Sequence, residues 1–338
     1  MSDLSTSYLG LKLRAPLVAS SSPLCDSADN IARLEDHGIA AVVLPSLFEE
    51  QLELESESVD EDLARGADSF PEALSYFPDL QTYNLGPDRY LDLIRQAKQR
   101  VDIPVIASLN GVSTGGWIHH ARLFEEAGAD AVELNIYTIP TDPAQSGAAV
   151  ESSLLELVSA VRRSLRIPMA VKLSPFFSAP ANMGCRLDAA GADGLVLFNR
   201  FYQPDFNIED QAVVSTLALS NPEELLLRLH WTAILCGRVR ADLGITGGVH
   251  TAEDVVKCIM AGARVAFMTS ALLKHGARHA ERVLADLHRW LDSHGYTSIA
   301  EMCGSMGYDA VPDTNAYERG NYMRVLSSYA LKAGAFGD

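Results

Sequence analysis

The sequence predicts one closed (β/α)8 barrel of the α/β class, with long loops after its second and sixth strands and a C-terminal helical tail. Three observations predict it. A short pattern recurs four times, as HGIAAVVL (37–44), AGADAVEL (127–134), AGADGLVL (190–197) and AGARVAFM (261–268). Each copy joins a helix end, a glycine suited to a left-handed cap, and an apolar run that is too short for a helix but suits a strand buried on both faces. A second pattern, IPVIASL (103–109) and IPMAVKL (167–173), places a proline where a helix stops and a parallel strand opens. Helical periodicity fills most intervals between these runs.

In chain order, PLVASS (16–21) and DLGIT (242–246) complete a set of eight strands, starting near residues 16, 41, 104, 131, 169, 194, 243 and 264. Helices are expected over 30–37, 90–100, 117–127, 150–165, 181–190, 223–240, 251–261 and 278–293. Eight strand–helix units read as a closed barrel. A doubly wound open sheet would want a GxGxxG turn after the first strand, and SSSPLCD is not one. Residues 46–89 and 199–222 are long connections at the carboxyl ends of strands, where site walls and lids are built. The barrel is assigned to residues 1–296. Residues 297–338 form an extension in which AYERGNYMRVLSSYALK reads as a helix packed on the barrel or on a partner subunit.

Of 338 residues, 48% are hydrophobic, enough for a full core. Lys plus Arg total 27 against 44 Asp plus Glu, a formal net charge of −17 that disfavours nucleic acid and anionic membrane surfaces. Eight carboxylates fall between Glu49 and Asp62, a solvated face or a surface for a basic partner. Cys25, Cys185, Cys236, Cys258 and Cys303 form no CxxC pair, so neither an iron–sulfur cluster nor a zinc site is signalled. The chain shows no signal peptide and no membrane-spanning run, so a soluble cytoplasmic protein with reduced thiols is expected.

The chemistry-bearing residues converge on the carboxyl ends of the strands. Thr246-Gly247-Gly248 ends the seventh strand, and Met268-Thr269-Ser270-Ala271 ends the eighth. Glycines there admit close backbone approach, and helix N-terminal amides aim at a phosphate. Lys172 lies inside the fifth strand, where an ammonium needs a partner or an electron-rich ligand atom, such as the N1/C2-carbonyl edge of a flavin. Asn135 and Asn199 end the fourth and sixth strands and suit a planar ligand with an alternating amide edge. Ser20, Ser21 and Ser22 follow the first strand, and Ser108 and Asn110 end the third.

The stretches YLGLKLRAPLVASSSP, IPVIASLNG, VELNI, VKLSP, GLVLFN and GGVHTAEDVVKCIMAGA, in this order and spacing, resemble the dihydroorotate dehydrogenase family over residues 5–295. The resemblance implies a barrel that binds flavin mononucleotide (FMN). It places Lys172 against the flavin and Asn135 and Asn199 near flavin and substrate, and it gives the phosphate to Gly247, Gly248, Thr269 and Ser270. Family members carry a catalytic Cys or Ser three residues after the Asn that ends the fourth strand, and the matching residue here is Thr138. Pro and a substrate-binding Asn follow in the family, where this chain has Ile139 and Pro140. Pro45 stands where the soluble class has Lys, and the family's Asn-rich segment is reduced to Asn84-Leu85-Gly86-Pro87.

A thiol with its ordinary pKa of about 8.5 serves as a base far more readily than a Thr hydroxyl, which needs a relay. Tyr137 is the nearest alternative acid. The expected activity is hydride transfer between flavin and a CH–CH bond of a small cyclic amide, with dihydroorotate as the family default, and with Thr138, Lys172 and Asn135 as catalytic residues. Two alternatives stay open: an FMN-carrying redox subunit without orotate activity, and a flavin-free phosphate-binding barrel. A homodimer, a redox partner protein and no metal are expected, with Trp231 or the C-terminal helix available to an interface.

Overall fold

The computed structural model describes residues 2–48, 86–110, 114–200, 203–214 and 217–328. The acidic run 49–62 and the pair Asn84-Leu85 lie outside the described residues.

The chain opens with a short hairpin, β1 (Thr6–Tyr8) and β2 (Leu11–Leu13). The barrel strands follow as β3 (Leu17–Ala19), β4 (Ala41–Phe48), β5 (Val105–Asn110), β6 (Ala131–Asn135), β7 (Met169–Leu173) and β8 (Gly194–Leu197). A second hairpin, β9 (Asp205–Asn207) and β10 (Ala212–Val214), precedes the last two barrel strands, β11 (Asp242–Thr246) and β12 (Val265–Met268). The eight barrel strands pair in parallel and close into a ring in the order β11-β12-β3-β4-β5-β6-β7-β8. The closing pairs run from Asp242↔Gly194 to Ile245↔Leu197. The expected eight-stranded barrel is therefore present, and each strand begins within one residue of its expected start.

The fourfold pattern explains itself in the backbone. Gly38, Gly128, Gly191 and Gly262 have φ of 95, 99, 102 and 109°, a region that costs a side chain strain but suits glycine. Each glycine turns a helix end into the next buried strand. The helices are α1 (Ala28–Asp36), α2 (Pro87–Arg100), α3 (Thr114–Ala127), α4 (Gly147–Ser164), α5 (Pro180–Ala190), α6 (Leu225–Leu235), α7 (Ala252–Met260), α8 (Ser270–His275) and α9 (His279–His294). Their starts are capped where the sequence allows. Ser27 Oγ accepts from the Asn30 N–H at the start of α1. Thr251 and Asp254 form a reciprocal capping box on α7.

Two elements were not legible as strands. The β1–β2 hairpin turns at Leu9-Gly10 and sits under the amino-terminal ends of the barrel strands. Tyr8 is 1% exposed, and its ring meets Phe267 edge-on at 5.8 Å. The Leu9 N–H donates to Asp242 Oδ2 at 2.8 Å. A Cβ on Gly194, the first residue of β8, would come within 2.6 Å of Leu9 Cδ2 and 3.3 Å of the Tyr8 hydroxyl. Glycine at that position lets the hairpin plug the floor. The β9–β10 hairpin, inside the long connection after β8, exposes Phe206, Ile208 and Val213.

The tail has two parts. Residues 297–311 do the packing: Ile299 and Met302 are buried, and the Gly304 and Tyr308 N–H groups donate to the Ile259 and Ala233 carbonyls at 2.9 and 2.8 Å. The helix α10 (Tyr322–Ser328) is short, and its residues 322–327 are exposed rather than buried on the barrel. Trp231 is half-buried against the core and edge-on to His230. Among the described residues, no helix is long and apolar enough to cross a membrane.

The plugging role of Tyr8 is open to test. Tyr8→Ala is expected to lower the free energy of unfolding by about 3 kcal/mol, the usual cost of deleting a buried aromatic ring, as read by urea denaturation.

Candidate active site

Parallel strands buried on both faces leave little room for polarity, yet the buried polar residues gather at one end of the ring. Ser20, Ser22, Ser108, Asn110, Glu133, Asn135, Lys172 and Thr246 all lie on or just beyond barrel strands and are buried. Apart from Glu133, which lies deeper in the ring, they gather toward the mouth at the carboxyl ends, where sites form in this architecture. A cavity of about 270 Å³ opens there, bordered by Ser20, Ser21, Lys172, Asn199, Arg228, Gly247, Gly248, Thr269 and Ser270, among others.

One wall is a hydrogen-bonded chain of side chains. Asn199 Nδ2 donates to Asn135 Oδ1 at 2.7 Å. Asn135 Nδ2 in turn donates to Ser46 Oγ at 3.3 Å, and the Ser46 and Ser108 hydroxyls meet at 2.8 Å. Behind them the Tyr90 hydroxyl donates to the Ser108 carbonyl and accepts from its N–H. The chain fixes which face of each amide points where. Ser46 escaped the sequence reading because the register irregularity of β4 between Val43 and Ser46 rotates the strand there. A strict alternation count does not see such a bulge. Asn110, 6% exposed, ends β5 opposite Phe48 and is not on the cavity border among the described residues.

The opposite wall is the double-glycine corner. Gly247 and Gly248 have φ of 92 and 80°. A Cβ on Gly247 would sit 2.8 Å from Arg228 Nε, and one on Gly248 would sit 2.5 Å from the Leu225 backbone nitrogen. Glycine is therefore needed first by packing against the start of α6. The Gly248 N–H donates to Ser220 Oγ at 3.3 Å, and the Ser220 hydroxyl and N–H both donate to Ser270 Oγ, at 2.8 and 3.0 Å. Thr269 Oγ1 donates to the Ser20 carbonyl at 3.5 Å.

Arg228 is the largest polar group that the sequence reading missed. It is 7% exposed, its Nε donates to the Thr246 carbonyl, and its Nη1 donates to the Glu224 carbonyl at 2.5 Å. Burial pushes its pKa down, Glu224 opposes that shift, and Arg200 adds to it. The signal in the sequence was a lone Arg in the apolar run LLLRLHW.

Lys172 has the partner its burial demanded. Its Nζ lies 3.6 Å from Glu133 Oε1, with the Glu133 side chain 1% exposed. Burial pushes the Glu133 carboxyl up, and the Lys172 charge pulls it down.

Thr138 is placed differently from the rest. It is exposed and borders a neighbouring cavity of about 300 Å³, with Ile136, Pro140, Leu154, Leu173 and Phe176 among its other walls. The structure thus joins Ser20, Ser21, Lys172, Asn199, Gly247, Gly248, Thr269 and Ser270 around one cavity. Asn135 is tied to them through Asn199, and Thr138 stands at an adjacent one. No group of three or more His, Cys, Asp or Glu side chains able to hold a metal occurs among the described residues.

Comparison with known proteins points the same way. The family model described as dihydroorotate dehydrogenase matches residues 80–291. The catalytic subunit of dihydroorotate dehydrogenase B (NAD(+)) from Thermoplasma acidophilum is 29% identical over 312 residues, covering 90% of this chain and 99% of that protein. A subunit of NAD-dependent dihydropyrimidine dehydrogenase, PreA of Escherichia coli K12, is 25% identical over 334 residues, covering 92% of this chain and 78% of its own length.

The two uses of left-handed glycine separate experimentally. Gly10 has φ of 72° and nothing within 4 Å of an added Cβ, so Gly10→Ala is expected to cost about 1 kcal/mol from backbone strain alone. Gly248→Ala adds a collision with the Leu225 backbone and is expected to cost at least about 2 kcal/mol more. Paired chemical denaturation curves check the difference.

Proposed function

The chain belongs to the dihydroorotate dehydrogenase family, and from that premise we propose that it is an FMN-dependent dehydrogenase acting on a ring CH–CH bond of a small cyclic amide. The observation that carries this reading is the placement of the Lys172 side chain and the Gly247-Gly248 corner on the border of one cavity. A cation on one side and a cluster of hydroxyls and backbone amides on the other match the two ends of a flavin nucleotide.

The donor set fits the group. The Ser220–Ser270 hydroxyl pair, Thr269 and the backbone of the glycine corner are the residues that would hold the phosphate. The buried Arg228 guanidinium behind Gly247 adds positive charge to that end of the cavity. Lys172 would face the electron-rich edge of the ring, where an ammonium stabilises the charge that reduction leaves there. When bound, FMN supplies a two-electron acceptor that takes a hydride from a carbon.

The protein's own side chains do the rest. Asn199, oriented by its bond to Asn135, presents an amide that can both donate to and accept from the ligand's alternating carbonyl and N–H groups. The Asn135–Ser46–Ser108 chain holds that amide in one orientation. Thr138 Oγ1 is the candidate carrier of the proton that leaves the adjacent carbon. A Thr hydroxyl is a weak base, so its proton has to pass onward through a relay.

Substrate choice falls within one chemical class. Relatives named for dihydroorotate and for dihydropyrimidines both act, by those names, on saturated pyrimidine rings. Dihydroorotate, with pyrimidine biosynthesis as the context, is the first substrate to try. Both relatives are named as subunits, which supports a redox partner chain for this protein as well.

Purified protein incubated with FMN and desalted is expected to keep the oxidised-flavin absorption bands. Those bands are expected to bleach when dihydroorotate or 5,6-dihydrouracil is added without oxygen. Colourless protein after that treatment would sink the reading. Lys172→Ala is expected to slow bleaching about 100-fold, as for removal of one charge-stabilising donor. Thr138→Ala is expected to slow it by a similar factor of about 100 while FMN affinity stays unchanged. Rapid-mixing absorbance and FMN titration measure the two effects separately.

A further inference from the structure

The interior of the ring holds one group with no role so far. Glu133 sits on β6 two residues before Asn135, and Asn135 is the register partner of Lys172. Its carboxylate is therefore one layer deeper than the cavity. Its Oε1 is fully buried and makes no hydrogen bond among the described residues, and Lys172 Nζ, at 3.6 Å, is the cation facing it. A carboxylate in such a place is costly unless something answers its charge, and the same holds for the ammonium. Neither side chain fits the barrel interior alone.

We propose that Glu133 is a positioning residue: its buried carboxylate anchors the Lys172 ammonium at the cavity floor and offsets its charge. A side chain that touches neither flavin nor substrate thereby sets how much positive charge the flavin ring meets, and with it the ring's reduction potential. This deepens the FMN reading and rests on it.

The surroundings leave the pair to act alone. From β1, Tyr8 feels the Glu133 charge; burial is the larger cause, and together with Asp242 these hold its phenol well above the usual range. From α2, Tyr90 is raised likewise, again mainly by burial, while its bond to Ser108 opposes the shift. Both phenols stay neutral at ordinary pH. Among the described residues that face Glu133, Lys172 is the cation that answers its charge. With both ionised, the flavin meets an ion pair of zero net charge. With glutamine at 133, it meets an unbalanced cation.

Two measurements on wild type, Glu133→Gln and Glu133→Asp test this. The first uses apoprotein in mildly alkaline buffer. Acylation of Lys172 by acetic anhydride, followed by peptide mass spectrometry, is expected to run about tenfold faster in E133Q, the equivalent of one pKa unit, with E133D in between. The second uses FMN-loaded protein. The flavin midpoint potential is expected to be higher in E133Q than in wild type. Equal acylation rates in wild type and E133Q overturn the proposal, and so does altered acylation with superimposed potentials. If E133Q fails to fold, E133D carries the same comparison, and wild-type behaviour there overturns it. If wild type takes up no FMN, the cofactor reading falls, while the acylation comparison still decides whether Glu133 governs Lys172.

Discussion

Every strand of the central ring is buried on both faces, so a polar side chain inside it has to meet another polar group or open onto the mouth. That constraint orders the whole site. Where strands are short, as in β8, the inner positions are small or apolar and the floor is sealed by Tyr8. Where polar residues enter, they enter in linked sets: Asn199 with Asn135, Ser46 with Ser108, Lys172 with Glu133, and Ser20 facing Thr246 across 3.5 Å. Unlinked, each would carry a desolvation cost of about 1–3 kcal/mol or more. The linkage also removes rotational freedom, so the cavity is lined by groups already held in place.

The fold was legible because its signals are local. A glycine after a helix and a short apolar run after that glycine decide the backbone within a few residues, and the φ values at Gly38, Gly128, Gly191 and Gly262 agree. The β1–β2 hairpin was not legible, because its three-residue strands gain nothing until they meet Phe267, Gly194 and Asp242, all far away in sequence. The long connection after β8 hides a hairpin for the same reason. In the tail, the helical periodicity of 316–332 is real over Tyr322–Ser328, but periodicity does not say whether a face finds a partner.

In the site, single residues at strand ends could be named, and the pairs could not. Lys172 announced that a partner was needed without saying where, since Glu133 lies 39 positions earlier in sequence and becomes adjacent only through the β6–β7 register. Glu133 itself carried a signal that was passed over: a charged residue in a strand otherwise apolar on both faces. Arg228 carried the same kind of signal within an apolar helix. Both show that the informative symbol in a buried segment is the one that breaks its pattern. Ser46 carried no such signal, because its inward position depends on a bulge.

The double glycine shows how one residue type can answer two demands at once. Close approach of a phosphate was the ground for singling out Gly247 and Gly248, yet side chains there are excluded first by Arg228 and by the Leu225 backbone. The two reasons are connected through one geometry. Pressing α6 against the turn brings a guanidinium and the Ser220 hydroxyl up to the end of β11, where Ser220 Oγ takes up the Gly248 N–H. Glycine therefore makes room for the protein on its outer side, and the guanidinium and hydroxyl that this room admits border the cavity on the inner side. A corner built in this way depends on α6 as much as on its own loop, so a change at the start of that helix reshapes the cavity border through the turn.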